Sequence, residues 1–282
     1  MTLLQDRPMT TRRNEDIAAR LGEELRPLLA ARPTADNPLG IQELGLAVER
    51  RLAGLGFEVR RYPSSDAPDI LVARRPGAGL RIGLAGHYDI EAAGDGWTRA
   101  PFEVSFEGGR MFGRGLADNL GPLLSRMQAL ASMGGETPDL VWVLQGEEEI
   151  GSPAAHRIYP TLGLPPVDLW LEETGYFELD GCQRLLLRRP SARTQTCVDA
   201  VLRVAHGHGR AVERHDRNMN KAFGDQQCPF LSHLVGEATY LAIGPNDPRS
   251  NIHQADESLP IGNLAVASDQ FVAVLAAAAL AR

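Results

Sequence analysis

The sequence predicts an α/β protein, a three-layer α/β/α sandwich around a mixed, mostly parallel sheet. Three observations carry that expectation. Short apolar runs at 140–144 and 167–171 have the uninterrupted pattern of central strands covered on both faces. Segments of helical period alternate with them along the chain. Acidic and histidine side chains collect just beyond the ends of these strands, where open α/β sheets bind their ligands.

The elements follow in order. Residues 14–31 carry Ile17, Leu21, Leu25 and Leu28 at helical spacing, with Asn14 as a cap and Pro27 weakening the last turn. Residues 39–54 place Leu44, Val48 and Leu52 on one helical face. The period then changes to two over 57–62, and 70–73 and 80–85 read as short apolar strands. The stretch 94–115 is polar and rich in turn residues, with Trp97, Phe102 and Phe106 scattered through it. A loop that long calls for a functional reason. Helices are expected at 120–133, 194–204, 230–235 and 264–279, and strands at 184–187 and 238–243. Residues 160–166 form a stiff, proline-rich connection, and there is no internal repeat. The expectation is one catalytic domain over 1–282.

Composition narrows the function classes. The chain has 282 residues, 43% apolar and 23% charged, an ordinary globular mixture with enough length for a core without disulfide staples. With 29 basic against 36 acidic residues and a net charge of -7, it lacks the basic excess of a general nucleic-acid binder. Three distant cysteines, Cys182, Cys197 and Cys228, suit reduced thiols in a cytoplasmic protein rather than a scaffold. The N-terminal Asp6, Arg7, Arg12 and Arg13 precede no apolar core of a signal peptide. The apolar run 271–280 is expected to be a buried helix too short to cross a bilayer, so no membrane partner is expected.

The polar residues at strand ends point to a metal site. His87 and Asp89 follow 80–85, Asp118 follows Gly113-Arg114-Gly115, Glu147, Glu148 and Glu149 follow 140–144, Glu172 and Glu173 follow 167–171, and His253 lies beyond 238–243. Taken singly, a histidine after a strand or a run of glutamates is an ordinary solvated feature. Taken together, carboxylates gathered at one end of a sheet would repel one another, and a bound divalent cation reverses that repulsion.

The motifs that contain these residues resemble the M20 metallopeptidases, the family of aminoacylases, glutamate carboxypeptidases and the deacylases of arginine and lysine synthesis. Ala85-Gly86-His87-Tyr88-Asp89 resembles the first metal block. Gly96-Trp97-Thr98, Pro101-Phe102 and Gly113-Arg114-Gly115-Leu116-Ala117-Asp118-Asn119 resemble the second, with Leu120 where the family usually has lysine. Gln145-Gly146-Glu147-Glu148-Glu149-Ile150-Gly151-Ser152 resembles the third, and Leu171-Glu172-Glu173-Thr174 the fourth, often Glu-Pro-Thr in the family. Asn251-Ile252-His253-Gln254-Ala255-Asp256-Glu257 resembles the last. Five blocks in the family's order are a far stronger signal than one short motif.

The resemblance implies a zinc-peptidase-like fold and a set of roles. His87 and Glu172 would bind one zinc ion, Glu148 and His253 a second, and Asp118 would bridge them, with an Asp118-Asn119 peptide that is often cis in such enzymes. Asp89 would hold the His87 ring through its other nitrogen. Glu147 would be the general base, moving a proton from water to the leaving amine. Glu173 competes with Glu172 as ligand, and Glu172 is preferred because it directly follows the strand. Cobalt or manganese would suit the same oxygen and nitrogen ligands.

The sequence also departs from the family. M20 proteins usually insert a lid or dimerisation domain between the fourth and fifth blocks, and Glu172 and His253 stand too close in sequence for one. That feature, together with Gly224-Asp225-Gln226-Gln227-Cys228-Pro229-Phe230, is similar to the related M28 aminopeptidases. The lid's donors need replacement. The polar stretch with His206, His208, Arg210, His215, Arg217, Asn218, Asn220 and Lys221 is the candidate, with Arg217 and Asn218 suited to an acyl or carboxylate group and His208 and His215 beside them. Arg110, Arg114 and Arg193 are weaker candidates. Neither Cys197 nor Cys228 has the local His-Asp pairing of a nucleophile. The expected activity is dizinc hydrolysis of an amide bond in an N-acyl amino acid, a dipeptide, a peptide terminus or a carrier-linked amino acid. The alternatives are a noncatalytic member of the fold that binds a partner or small ligand, and a metal-dependent deaminase or cyclase. A monomer, or a dimer formed without a lid, is expected.

Overall fold

The computed structural model describes residues 9–65, 67–217, 222–223 and 226–281. Two helices open the chain, α1 (Met9–Ala30) and α2 (Pro38–Gly54), followed by strands β1 (Glu58–Tyr62), β2 (Ile70–Arg75) and β3 (Ala78–His87). A small hairpin, β4 (Ser105–Glu107) and β5 (Arg110–Phe112), precedes α3 (Gly121–Ser132), β6 (Pro138–Gln145) and α4 (Pro153–Ile158). Then come β7 (Leu169–Glu172), β8 (Tyr176–Phe177), β9 (Gln183–Arg188), α5 (Gln195–Gly207) and β10 (Val212–Asp216). A short ribbon, β11 (Ala222–Phe223) and β12 (Gln226–Gln227), leads through a π-helical turn at Phe230–Val235 to β13 (Thr239–Ala242), β14 (Ser258–Pro260) and α6 (Ile261–Leu280).

The main sheet runs β1-β2-β6-β3-β7-β13-β9-β10, with β8 paired to β9. Its centre is parallel, β6 with β3, β3 with β7 and β7 with β13, while β1 runs against β2, β2 against β6 and β9 against β13. The expected mixed sheet in an α/β sandwich is the observed one. Side chains alternate between its faces, as a pleated strand requires. Leu71, Leu84, Trp142, Leu144, Leu171 and Leu241 enter a large core with α1, α2, α3, α5 and α6. Ile70, Val72, Val143, Trp170 and Tyr240 face α4 and the π-helical turn. The run at 140–144 has no polar residue because β6 is buried on both sides.

Local signals set the ends of α2. Asn37 caps its first turn, accepting from Gly40 N, and Pro38 stands at the first helical position. Ile41, Leu44, Val48 and Leu52 form its buried stripe. The final helix α6 is longer than expected. At 20 residues it is long and apolar enough by composition to cross a membrane. More than half of its apolar window is buried inside the fold, against α5, α3 and β3, so its apolarity is that of a core helix.

Two expected loops are structured. The stretch 94–115 contains the β4–β5 hairpin, and β14 adds to it as a third strand. That small sheet ties the segment before Asp118 to the segment after His253. The second is the histidine-rich stretch, part of which is β10, parallel to β9 at the sheet edge.

Candidate metal centre

The carboxyl ends of β3, β6, β7 and β13 lie side by side, and each delivers polar residues to the same end of the sheet. His87 is the last residue of β3. Its Nδ1 lies 3.0 Å from the Asp89 carbonyl and 3.3 Å from Asp89 Oδ1, which turns Nε2 toward Asp118 Oδ1 at 3.0 Å. Asp118 stands in the turn before α3, followed by a cis peptide bond to Asn119. Its other oxygen, Oδ2, is 3.4 Å from His253 Nε2. One carboxylate therefore faces an imidazole on each of its oxygens. His253 is carried there by a loop with left-handed backbone at Asn251, His253 and Asp256.

Glu257 holds this arrangement from below. Its carboxylate accepts from Arg114 (2.7 Å) and from the backbone N–H groups of Gly115 (3.1 Å), Ala117 (2.8 Å) and Asp118 (3.2 Å). Both Glu257 and Arg114 are buried. Neither role is visible in the sequence beyond the presence of the two residues inside family-like blocks.

The three consecutive glutamates separate into three environments. Glu147 is buried, and its Oε2 accepts from Ala154 N at the start of α4 (3.0 Å). A short 3-10 turn from Glu148 to Ile150 then splits its two neighbours. Glu148 lines a cavity of about 430 Å³ together with His87, Asp118, Glu172, Arg217 and His253. Glu149 points to His253, whose Nε2 is 2.8 Å from Oε2, and its N–H donates to Asp89 Oδ2 (3.0 Å). Gly146 ahead of them admits no side chain, since a Cβ would come within 2.6 Å of the Tyr88 ring. The structure thus brings Glu149 against His253 and Asp118, where the sequence reading expected Glu148, and it places Glu148 rather than Glu147 on the cavity wall.

Glu172 ends β7. Its Oε2 accepts from Thr174 N (3.1 Å) and from the Tyr240 hydroxyl (2.6 Å). Glu173 turns toward α3, accepting from Asn119 Nδ2 (2.7 Å) and pairing with Arg126 (3.4 Å). Arg217 reaches the cavity with its guanidinium 5.8 Å from the Tyr240 ring centre, and its buried Nε has no acceptor among the described residues. His208 and His215 do not reach it. His208 ends α5 and bonds Asp269 of α6 (2.9 Å), while His215 on β10 takes a hydrogen bond from Arg184 (3.2 Å). Once the histidine-rich stretch becomes helix end and edge strand, their side chains belong to the body of the fold. Asn218 and the segment Gly224-Asp225 lie outside the described residues.

The electrostatics follow from this crowding. Burial pulls the His87 imidazole down, but its bonds to Asp118 and Asp89 outweigh that and hold it well above its ordinary value. Burial works against ionised Asp118, yet His253 and His87 together hold its carboxyl well below the usual range. The Asp118 and Glu149 carboxylates close to its Nε2 push His253 up to about 10. Burial, with help from Asp118 and Glu149, pushes Glu148 up to about 7. Burial likewise raises Glu149.

These residues fit divalent metal ions. His87, Asp118 and Glu149 offer ligand atoms all within 4.8 Å of one another, and so do Glu91, Glu149 and His253. The Glu149 side chain is 3% exposed, and among the described residues neither of its oxygens has a well-aligned hydrogen-bond donor. Burying a carboxylate in that state is costly unless a cation neutralises it. Glu91, missed in the sequence reading, stands four residues beyond His87 with Asp89 between them, a spacing that offered a weak signal. The two clusters share Glu149, and the donor set of carboxylates and imidazoles is that of a dinuclear centre.

An α/β sandwich with mixed carboxylate and histidine ligands at its parallel strand ends defines the class: a zinc-peptidase-like protein with a candidate two-metal centre. Within that class the chain belongs to peptidase family M20/M25/M40, whose sequence profile matches residues 83–277. It is 27% identical over 150 residues to the succinyl-diaminopimelate desuccinylase of Novosphingobium aromaticivorans, covering 50% of this chain and 40% of that protein. It is 35% identical over 144 residues to that of Rhodospirillum rubrum, covering 45% and 35%. A probable di- and tripeptidase of Saccharomyces cerevisiae is 37% identical over 83 residues, covering 28% of this chain and 10% of that one. The chain thus spans well under half the length of these relatives. Among solved structures, human carnosine dipeptidase 1 superposes with a TM-score of 0.70 at 11% identity, covering 96% of this chain and 99% of the other. The Sulfolobus solfataricus carboxypeptidase Sso-CP2 gives 0.72 at 13%, covering 90% and 98%.

Proposed function

We propose that the chain is a metal-dependent hydrolase of amide or peptide bonds that uses Asp118 as the carboxylate shared by two divalent ions. The observation that carries this reading is the placement of two imidazoles on the two oxygens of Asp118, His87 at 3.0 Å and His253 at 3.4 Å. His87 and Asp118 would hold one ion, with Glu149 in reach of both and Glu172, its Oε2 anchored by Thr174 and Tyr240, lining the same cavity as a further ligand. Asp118, Glu149 and His253 would hold the second. Zinc is the first choice, and cobalt or manganese suits the same ligands. Bound ions supply Lewis-acid polarisation of the scissile carbonyl and an acidified water.

The chain's own residues supply the rest. Asp89 sets the tautomer and direction of His87. Glu148 is the carboxylate of the triplet that lines the cavity, and it takes the proton from the attacking water and hands it to the leaving nitrogen. Glu147, the residue expected in this role from the sequence, accepts a hydrogen bond from Ala154 N at the start of α4 and is not among the residues lining this cavity. Arg217 lines the same cavity and receives the substrate's carboxylate or acyl oxygen. The substrate is an N-acyl amino acid, a dipeptide or a peptide terminus, in keeping with relatives named as a desuccinylase and a di- and tripeptidase. The segment between Glu172 and His253 largely extends or covers the main sheet, which supports a cleft that works without an inserted lid.

The test is metal stoichiometry together with turnover on a panel of acyl amino acids and dipeptides. Two ions per chain are expected, with hydrolysis abolished and both ions kept in Glu148→Gln. Protein that binds no ion, or a Glu148→Gln variant at wild-type rate, refutes the assignment.

A further inference from the structure

We propose that Glu91 is an additional metal ligand in this chain, completing the His253 position. This rests on the two-metal reading above. Glu91 leaves β3 on the same segment as His87 and Asp89 but reaches the opposite ligand group. Its carboxylate, the Glu149 carboxylate and the His253 imidazole bring ligand atoms within 4.8 Å of one another. A hydrogen bond from Ala92 N–H to Glu91 Oε1 (3.0 Å) steadies the carboxylate there.

The independent observation is Glu149. Its side chain is 3% exposed, it is aimed into this cluster, and both of its oxygens lack a well-aligned donor among the described residues. One half-exposed imidazole does not balance Glu91, Glu149 and the nearer oxygen of Asp118. A divalent cation among them does.

Glu91, Glu149, His253 and Asp118 would together offer the ion at the His253 position four nitrogen and oxygen ligands. Glu91 is not part of the group formed by His87, Asp118 and Glu149, so its loss bears on the His253 position.

The experiment is chelator-competition titration of metal-free protein with zinc, comparing wild type with Glu91→Gln. Wild type is expected to bind two ions. Loss of a direct ligand costs at least the 10–100-fold that loss of a ligand's supporting partner costs, so Glu91→Gln weakens one of the two ions by about tenfold or more and leaves the other within about twofold. The visible spectrum of the cobalt-loaded protein changes in band position and intensity in the same variant. Unchanged zinc affinities, equal weakening of both ions, or an unchanged cobalt spectrum each overturn ligation by Glu91 while leaving the hydrolase reading intact. Wild-type protein that binds no ion overturns both. Chelated wild type and variant are compared by thermal unfolding, where coincident transitions show that the loss of affinity is not a loss of fold.

Discussion

Replacing Glu257 by Gln tests how the site is held from outside it. The Glu257 carboxylate accepts four hydrogen bonds, from Arg114 and from the N–H groups of Gly115, Ala117 and Asp118. It and Arg114 are each 1% exposed. Breaking a buried ion pair by removing one partner costs about 3–5 kcal/mol, because the remaining charge is left uncompensated. The amide also turns a donor toward N–H groups that need an acceptor. An unfolding entropy of about 2.1 cal/mol/K per residue gives about 0.6 kcal/mol/K for a chain of this length, so the melting temperature should fall by about 5–8 °C. The assay is calorimetry of chelated protein, so that metal binding does not add to the stability of either form. The double variant Arg114→Met with Glu257→Gln should recover at least about 1 kcal/mol relative to the sum of the single changes, since it removes the stranded charge. Recovery will be partial, because Arg114 also donates to the Ala93 carbonyl and stacks on Trp97. A fall below about 2 °C in Glu257→Gln, or strict additivity in the double variant, would refute the reasoning.

Other outcomes follow from the same contacts. Glu149→Gln should lower bound metal from two ions to one by elemental mass spectrometry, and retention of both would remove it from the ligand set. Arg217→Met should raise KM for substrates with an anionic group by roughly 10–100-fold, the worth of a hydrogen bond to a charged partner, with little change in kcat; an unchanged KM would take Arg217 out of the binding site. Cys197 is fully buried, and burial pushes its thiol up to about 11. It should therefore resist alkylation at neutral pH in the native protein, where thiolate is scarce, and become reactive on unfolding. Rapid native labelling of Cys197, read by peptide mass spectrometry, would contradict its place in the core.

The fold class was legible in the sequence, as were the strands and helices with strong periodicity. A central strand such as β6 announces itself because burial on both faces admits no polar residue. The β4–β5 hairpin and β10 did not, because each is short and gains its pairing from distant segments, β14 and β9. Such pairing leaves little local pattern. In the site, His87, Asp89, Asp118 and His253 were recognisable from their blocks, and the structure brings them together. His208 and His215 looked available only while their segment was read as a loop.

Sequence alone determined which chemistry is present: imidazoles and carboxylates placed after parallel strands, in an order characteristic of one family. It could not assign three adjacent glutamates, since neighbours in a chain carry no record of the direction each side chain takes. Tertiary structure decided that. The start of α4 claims Glu147, the cavity takes Glu148, and the 3-10 turn swings Glu149 to His253. It also decided that Glu257, far along the chain from Gly115, braces the turn that presents Asp118. Such roles depend on which backbone N–H groups lack partners after folding, and that is settled only when distant segments meet.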